Sequence, residues 1–124
     1  MKVLLADDEP VVRGVIKRLL DPRFEIVEAA NGNEALALVP DATKIDLLIT
    51  DEMMPEMEGH ELSRRLRRQN PDLKVLYLTG YSDHLFDQVV RLWDFEAYLD
   101  KPFTGKSLNE AVALLVAGRL SFES

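Results

Sequence analysis

The side chains able to do chemistry sit where apolar runs end. Asp7-Asp8-Glu9 follows the run from Lys2 to Ala6, Asp51 follows Leu47 to Thr50, Thr79-Gly80 follows Val75 to Leu78, and Lys101-Pro102 closes the segment that holds Ala97 to Leu99. Carboxylates brought within about 4 to 6 Å of one another disfavour mutual ionisation, so a convergence of these acids calls for a cation. A hard, small ion such as Mg²⁺ answers that need, because it takes oxygen ligands and keeps waters that an anionic group can replace. Together with the Lys101 ammonium, one divalent ion balances three carboxylates, and a phosphoryl donor would meet a neutral site.

Convergence depends on the elements that carry these residues. The runs Lys2 to Ala6, Leu47 to Thr50 and Val75 to Leu78 have the continuous apolar character of strands buried on both faces. Phe24 to Val27 and Ala97 to Leu99 are weaker versions of the same signal. Helical spacing separates them. Val12, Ile16, Leu19 and Leu20 share one face, and Ala35, Leu36 and Val39 follow a start at Asn31 or Gly32 and a stop at Pro40. A third helix from Gly59 turns Leu62 and Leu66 inward and Arg64, Arg65, Arg67 and Arg68 to water, ending before Asn70-Pro71. Leu85, Val89 and Leu92 mark a fourth, with Phe86, Val90 and Trp93 as a second, outward stripe, and Leu108, Val112, Leu115 and Val116 mark a fifth. Strand and helix alternate five times, which predicts a doubly wound α/β fold with a parallel sheet covered on both faces. Ligands of such folds sit beyond the carboxyl ends of the strands, where the four reactive segments fall.

Composition narrows the classes. With 124 residues, 47% of them apolar, 30% charged and a net charge of −7, the chain has the make-up of one soluble domain and lacks the basic excess that grips nucleic acid. No cysteine is present, which removes thiolate metal sites, disulfides and a Cys nucleophile. No apolar run approaches the roughly 20 residues of a membrane span, so a cytoplasmic protein is expected. His60 and His84 read as surface histidines without metal-ligand spacing, Ser82-Asp83-His84 cannot converge as a triad, and Met53, Met54 and Met57 read as a flexible loop packed on helix surfaces.

Four separated motifs, in order, resemble the receiver domains of two-component response regulators across residues 1 to 118, with 119–124 as a C-terminal tail. Met1 to Glu9 is similar to the family's first strand and acidic pair; Thr50-Asp51-Glu52-Met53-Met54-Pro55-Glu56-Met57-Glu58-Gly59 to its phosphoacceptor segment; Tyr77-Leu78-Thr79-Gly80 to the strand ending in a switch hydroxyl; Tyr98-Leu99-Asp100-Lys101-Pro102-Phe103 to its aromatic switch and Lys-Pro pair. The resemblance implies a flavodoxin-like sheet of five parallel strands, order 2-1-3-4-5, flanked by five helices. It implies Asp51 as phosphoacceptor, Asp7, Asp8, Asp51 and the Met53 backbone carbonyl as Mg²⁺ ligands, Lys101 and Thr79 as groups meeting the phosphoryl oxygens, and Thr79 and Tyr98 as switch residues. The chain would then be a phosphoacceptor switch assisting its own phosphorylation and dephosphorylation, and not otherwise an enzyme. A histidine kinase or histidine phosphotransfer protein would donate. A downstream protein or fused domain would read the surface of the fourth helix, fifth strand and fifth helix, with no direct nucleic-acid or membrane partner, and homodimerisation is left open. A cis Lys101-Pro102 bond suits the tight turn there.

Other readings exist for each part. Asp7-Asp8-Glu9 before Pro10 would suit a helix cap, Asp51 and Thr79-Gly80 plain strand-ending turns, Lys101 a solvated lysine and Tyr98 a core edge. A phosphohydrolase like the haloacid dehalogenases would need a second Asp two residues after the nucleophile, where Met53 stands. A flavin-binding fold of this topology would need a first loop that cradles phosphate, and Asp7-Asp8-Glu9 would repel it. A receiver-like module that is never phosphorylated keeps every key residue without using it. Residues 119–124 are too few for an output domain, which leaves either a single-domain regulator working by protein contacts or a receiver from a larger protein such as a hybrid kinase, and the resemblance of Val75 to Tyr81 to the strand-four region of hybrid-kinase receivers favours the second.

Overall fold

Alternation of inward faces builds the sheet. In Lys2–Ala6 (β1), Leu4 and Ala6 join one apolar cluster while Val3 and Leu5 join a second on the opposite side. Leu47–Asp51 (β3) splits the same way, Leu48 to the first cluster and Leu47 and Ile49 to the second, as does Lys74–Thr79 (β4), with Val75 and Tyr77 against Leu76 and Leu78. A period of two with apolar residues at every position leaves no solvent face, so each strand must be covered twice. The computed structural model describes residues 1–80, 92–93 and 95–117, with backbone alone at 92 and 93.

The cover comes from helices in pairs. Gly32–Leu38 (α2) and Gly59–Leu66 (α3) put Ala35, Leu62 and Leu66 into the first cluster. Pro10–Leu19 (α1) and Gly105–Ala117 (α4) put Ile16, Leu108, Ala111, Val112 and Leu115 into the second. Asn31 caps α2 by accepting a hydrogen bond from the Glu34 amide at 2.8 Å, and a short 3₁₀ turn at Ala42–Lys44 leads into β3.

Glu25–Ala29 (β2), Leu92–Trp93 (β5) and Glu96–Asp100 (β6) complete the order β2-β1-β3-β4-β6-β5. The five parallel strands follow the expected order 2-1-3-4-5, with β6 as the expected fifth. β2 runs one residue later at its start and two at its end than expected; it pairs with β1 alone and is half-buried, which weakens its apolar signal. No helix among the described residues is long and apolar enough to cross a membrane.

Several expectations change. Four α-helices, not five, occur among the described residues. Leu85 and Val89 of the expected fourth helix, Phe86, Val90, His84 and the segment 119–124 lie outside them, but Leu92 and Trp93 are strand. They pair antiparallel with Ala97 and Glu96, and Phe95 takes a left-handed φ of 67° where the chain reverses. A two-residue strand is too short to carry a period of its own. Leu19 is exposed rather than inward, at the last turn of α1. Arg67 does not point to water: its guanidinium donates to the Leu73 carbonyl at 2.8 and 3.1 Å and pairs with Glu96 at 2.6 Å, closing α3 onto β6. Of the three loop methionines, Met54 and Met57 are buried members of the first cluster and Met53 is exposed.

Gly59 opens α3 so close to β3 that a methyl group on its Cα would overlap the Asp51 carbonyl oxygen, a backbone atom that cannot swing aside. Gly59→Ala is therefore expected to destabilise the protein by about 1 to 3 kcal/mol, the usual range for overpacking. Urea unfolding measures this, and a loss below about 0.5 kcal/mol would show that the β3–α3 connection yields easily.

Candidate functional site

The ends of β1, β3 and β6 put four acids and one lysine in one place. Ala6 and Thr50 are register partners on adjacent strands, so the residues that follow, Asp7 and Asp51, emerge side by side. Pro10 starts α1 at once, which confines Asp8 and Glu9 to the same short loop. One carboxylate oxygen from each of Asp7, Asp8, Glu9 and Asp51 lies within 4.8 Å of the others. Such a set of hard oxygen donors is the kind that holds a small divalent cation.

Lys101 reaches into this group from just beyond β6, and the peptide bond that joins it to Pro102 is cis. Its Nζ lies 3.2 Å from Asp7, 3.4 Å from Glu9 and 3.5 Å from Asp51. The Glu9 amide donates to Asp7 Oδ1 at 2.8 Å, and Arg13 Nη1 donates to the Asp7 carbonyl at 2.6 Å, so the acidic loop is tied at both side chain and backbone. The Met53 amide donates to Asp51 Oδ1 at 3.3 Å. The acids are not serving as helix caps: Glu9 occupies the N-cap position of α1 without a side-chain cap bond.

Burial dominates the electrostatics. Asp7 is fully buried and Asp51 nearly so, and loss of hydration raises both carboxyl groups above their ordinary range. Lys101 pulls both back, while Asp7 and Asp51 repel each other. Burial also works against the Lys101 ammonium, yet the surrounding carboxylates outweigh it and hold its pKa above the usual lysine value.

Thr79 and Tyr98 lie on the α3 side of the sheet, where β4 and β6 form three cross-strand rungs. The buried Thr79 hydroxyl donates to Asp100 Oδ1 at 2.7 Å. The Tyr77 and Tyr98 rings stack with centroids 5.0 Å apart, and the Tyr77 hydroxyl reaches Ser63 at 2.7 Å and Glu96 at 3.3 Å. Thus Asp7, Asp8, Asp51 and Lys101 come together, with Thr79 closing the neighbouring strand and Tyr98 two residues before Asp100.

Three participants lie outside the set picked from sequence. Glu9 joins the acidic group, and its place in the Asp7-Asp8-Glu9 triplet was the available signal. Asp100 was discoverable from register, since Thr79 and Asp100 are the paired last residues of β4 and β6. His60 is half-exposed as expected of a surface histidine, but its ring stacks on Tyr77 at 4.2 Å and its Nε2 lies 3.2 Å from Glu52. Nothing in its spacing announces that stack.

A family model for the response regulator receiver domain matches residues 3–113. The sensor kinase CckA of Brucella abortus is 36% identical over 112 residues, covering 89% of this chain and 12% of that protein. The DNA-binding transcriptional activator DevR/DosR of Mycobacterium tuberculosis is 38% identical over 124 residues, covering 96% of this chain and 56% of that one. The chain thus spans little more than half of one curated relative and a small part of the other. Among solved structures, the REC domain of AraT, a response regulator from Geobacillus stearothermophilus, superposes with a TM-score of 0.77 at 35% identity, covering 98% of this chain and 96% of that one.

The raised carboxyl groups make a prediction for the metal-free protein. A group with a higher pKa folded than unfolded binds its proton more tightly in the native state, so ionisation costs stability. The cost is absent below the unfolded pKa of about 3.9, grows as pH rises, and is complete above the folded pKa. Asp51→Asn removes it, and is expected to stabilise the protein at pH 7 and to change it by almost nothing near about pH 3. Urea titrations at the two pH values check this; a variant less stable than wild type at pH 7 would mean that the Asp51–Lys101 attraction outweighs burial.

Proposed function

The chain belongs to the response regulator receiver family of two-component signal transduction, and on that premise we propose that it is a phosphorylation-controlled switch whose phosphoacceptor is Asp51. The observation that carries this reading is the Lys101 ammonium held within 3.5 Å of both Asp7 and Asp51 at the strand ends. That arrangement leaves one carboxylate beside a fixed positive charge in a nearly dry site, which suits a nucleophile towards an anionic centre.

The oxygens of Asp7, Asp8 and Asp51, with the Met53 backbone carbonyl, would hold Mg²⁺, and Glu9 offers a further donor. When bound, that ion supplies charge stabilisation to the phosphoryl oxygens. A carboxylate oxygen of Asp51 forms a bond to phosphorus as the phosphorus–nitrogen bond of a donor phosphohistidine breaks, and the bonding pair leaves with the imidazole. Lys101 pairs with one phosphoryl oxygen. Thr79 gives its hydroxyl proton as a hydrogen bond to another, since phosphorylation replaces one carboxylate charge by roughly −1.5 to −2 and adds acceptors. Movement of Thr79 alters the packing that Tyr98 meets and so the face built by β6 and α4.

In this reading the donor is a histidine kinase or histidine phosphotransfer protein. The β6–α4 face meets a downstream protein or a fused domain, and the switch works in the cytoplasm. The chain turns over no substrate beyond assisting its own phosphorylation and dephosphorylation.

Incubation with Mg²⁺ and acetyl phosphate, followed by intact-mass measurement, is expected to add one phosphoryl group, and Asp51→Asn should abolish the addition. Asp8→Asn should weaken Mg²⁺ binding by at least about tenfold, the loss that follows removal of even an outer-shell partner. Modification that persists in Asp51→Asn, or none in wild type, would defeat the assignment.

A further inference from the structure

Thr79 has one hydroxyl proton to give, and it is already given. The donor is 1% exposed, the acceptor is Asp100 Oδ1, and the 2.7 Å separation is that of a short hydroxyl–carboxylate bond. The two residues are register partners at the ends of β4 and β6, and the Lys101 amide donates to the Thr79 carbonyl at 2.7 Å just beyond them. Strand pairing therefore holds both backbones still. The bond can be exchanged by rotating Thr79 about χ1 between its discrete staggered positions, with no movement of the strands.

We propose that Asp100 is an unphosphorylated-state latch: a positioning residue that holds the Thr79 hydroxyl and competes for it with the phosphoryl group on Asp51. The inference rests on the phosphoacceptor reading above and adds a residue with an opposing role. Asp51 pairs with Leu78 across β3 and β4, so Thr79 is the next residue along towards the site. A hydroxyl can donate to only one acceptor at full strength. Each phosphorylation must therefore break the Thr79–Asp100 bond, and the free energy of that bond is subtracted from the gain at the phosphoryl oxygens. Apparent affinity for a phosphoryl group falls by the fraction of molecules in which the hydroxyl is unlatched. Asp100 in this way sets how far the chain leans towards its unphosphorylated packing, while leaving Lys101, the next residue, free to serve the acids.

The test uses beryllofluoride with Mg²⁺ as the phosphoryl analogue, with affinity read by titration calorimetry on the full chain. Asp100→Ala is expected to bind about ten- to a hundredfold more tightly than wild type, the equivalent of one hydrogen bond to a charged acceptor. Asp100→Asn, nearly isosteric and still an acceptor, should fall between the two. In a Thr79→Val background, Asp100→Ala should change nothing, because the hydroxyl the latch holds is gone. Equal binding by wild type and Asp100→Ala would overturn the latch, and so would an undiminished gain in the Thr79→Val background, which would mark a general charge effect. Failure of wild type to bind beryllofluoride would overturn the phosphoacceptor reading itself, and the latch with it.

Discussion

Lys101 and the carboxylates around it are the interaction on which the rest of the site depends. Asp7 and Asp51 are nearly removed from water, and their hydration is replaced by one ammonium, a pair of backbone amides and each other's repulsion. That balance holds only while the strand ends stay aligned. The parallel register of β1 with β3 places the two acids side by side, and the pairing of β4 with β6 sets where the chain leaves the sheet towards Lys101. The apolar clusters on both faces hold that alignment, because a slip of one residue would send every leucine of a strand to the wrong side. An energetically awkward charge cluster is thus carried by the most strongly specified part of the fold, the common way functional strain persists.

The two sides of the sheet differ in kind. Towards α1 and α4, β4 and β6 present Leu76, Leu78, Ala97 and Leu99, a plain apolar layer. Towards α3 they present Val75, Tyr77 and Thr79 against Glu96, Tyr98 and Asp100, and each of the three rows carries a polar or aromatic side chain. Helix α3 is bound into this second face by the Ser63–Tyr77 and Arg67–Glu96 contacts and by the stack of His60 on Tyr77. A layer of leucines has one good packing, whereas hydroxyls, carboxylates and stacked rings can trade partners at modest cost.

Sequence carried the architecture well because continuous apolar strands and a 3.6-residue helical period are strong signals, and both are strongest where both faces are buried. β2, which pairs with one neighbour only, was misplaced by a residue or two for the same reason. Arg67 was misread because a run of arginines looks solvated until tertiary structure brings the Leu73 carbonyl and Glu96 to its guanidinium. Leu92 fitted a helical spacing equally well, and only the left-handed residue at Phe95 turns that segment into an antiparallel edge. The acidic site was legible because its members follow strands directly. Asp100 and His60 were not, because their roles lie in cross-strand register and ring contact rather than in spacing along the chain.

The rungs between β4 and β6 also differ in how firmly each is held, and this gives the face a direction. At the far end Glu96 is clamped by Arg67 at 2.6 Å and by the Tyr77 hydroxyl, whose own pKa is pushed up to about 12, chiefly by burial. Ser63 holds the same hydroxyl from α3, so the Tyr77 ring cannot turn without breaking two hydrogen bonds. At the near end the rung next to Asp51 carries, among the described residues, one side-chain bond, from Thr79 to Asp100. In the proposed switch, a change of charge at Asp51 would therefore meet the most easily exchanged rung first and the most tightly bound rung last. Tyr98 lies between them, stacked on a ring that stays put, and in the proposed switch it is the place where a rearrangement begun at Thr79 would be absorbed or passed outward to the β6–α4 face.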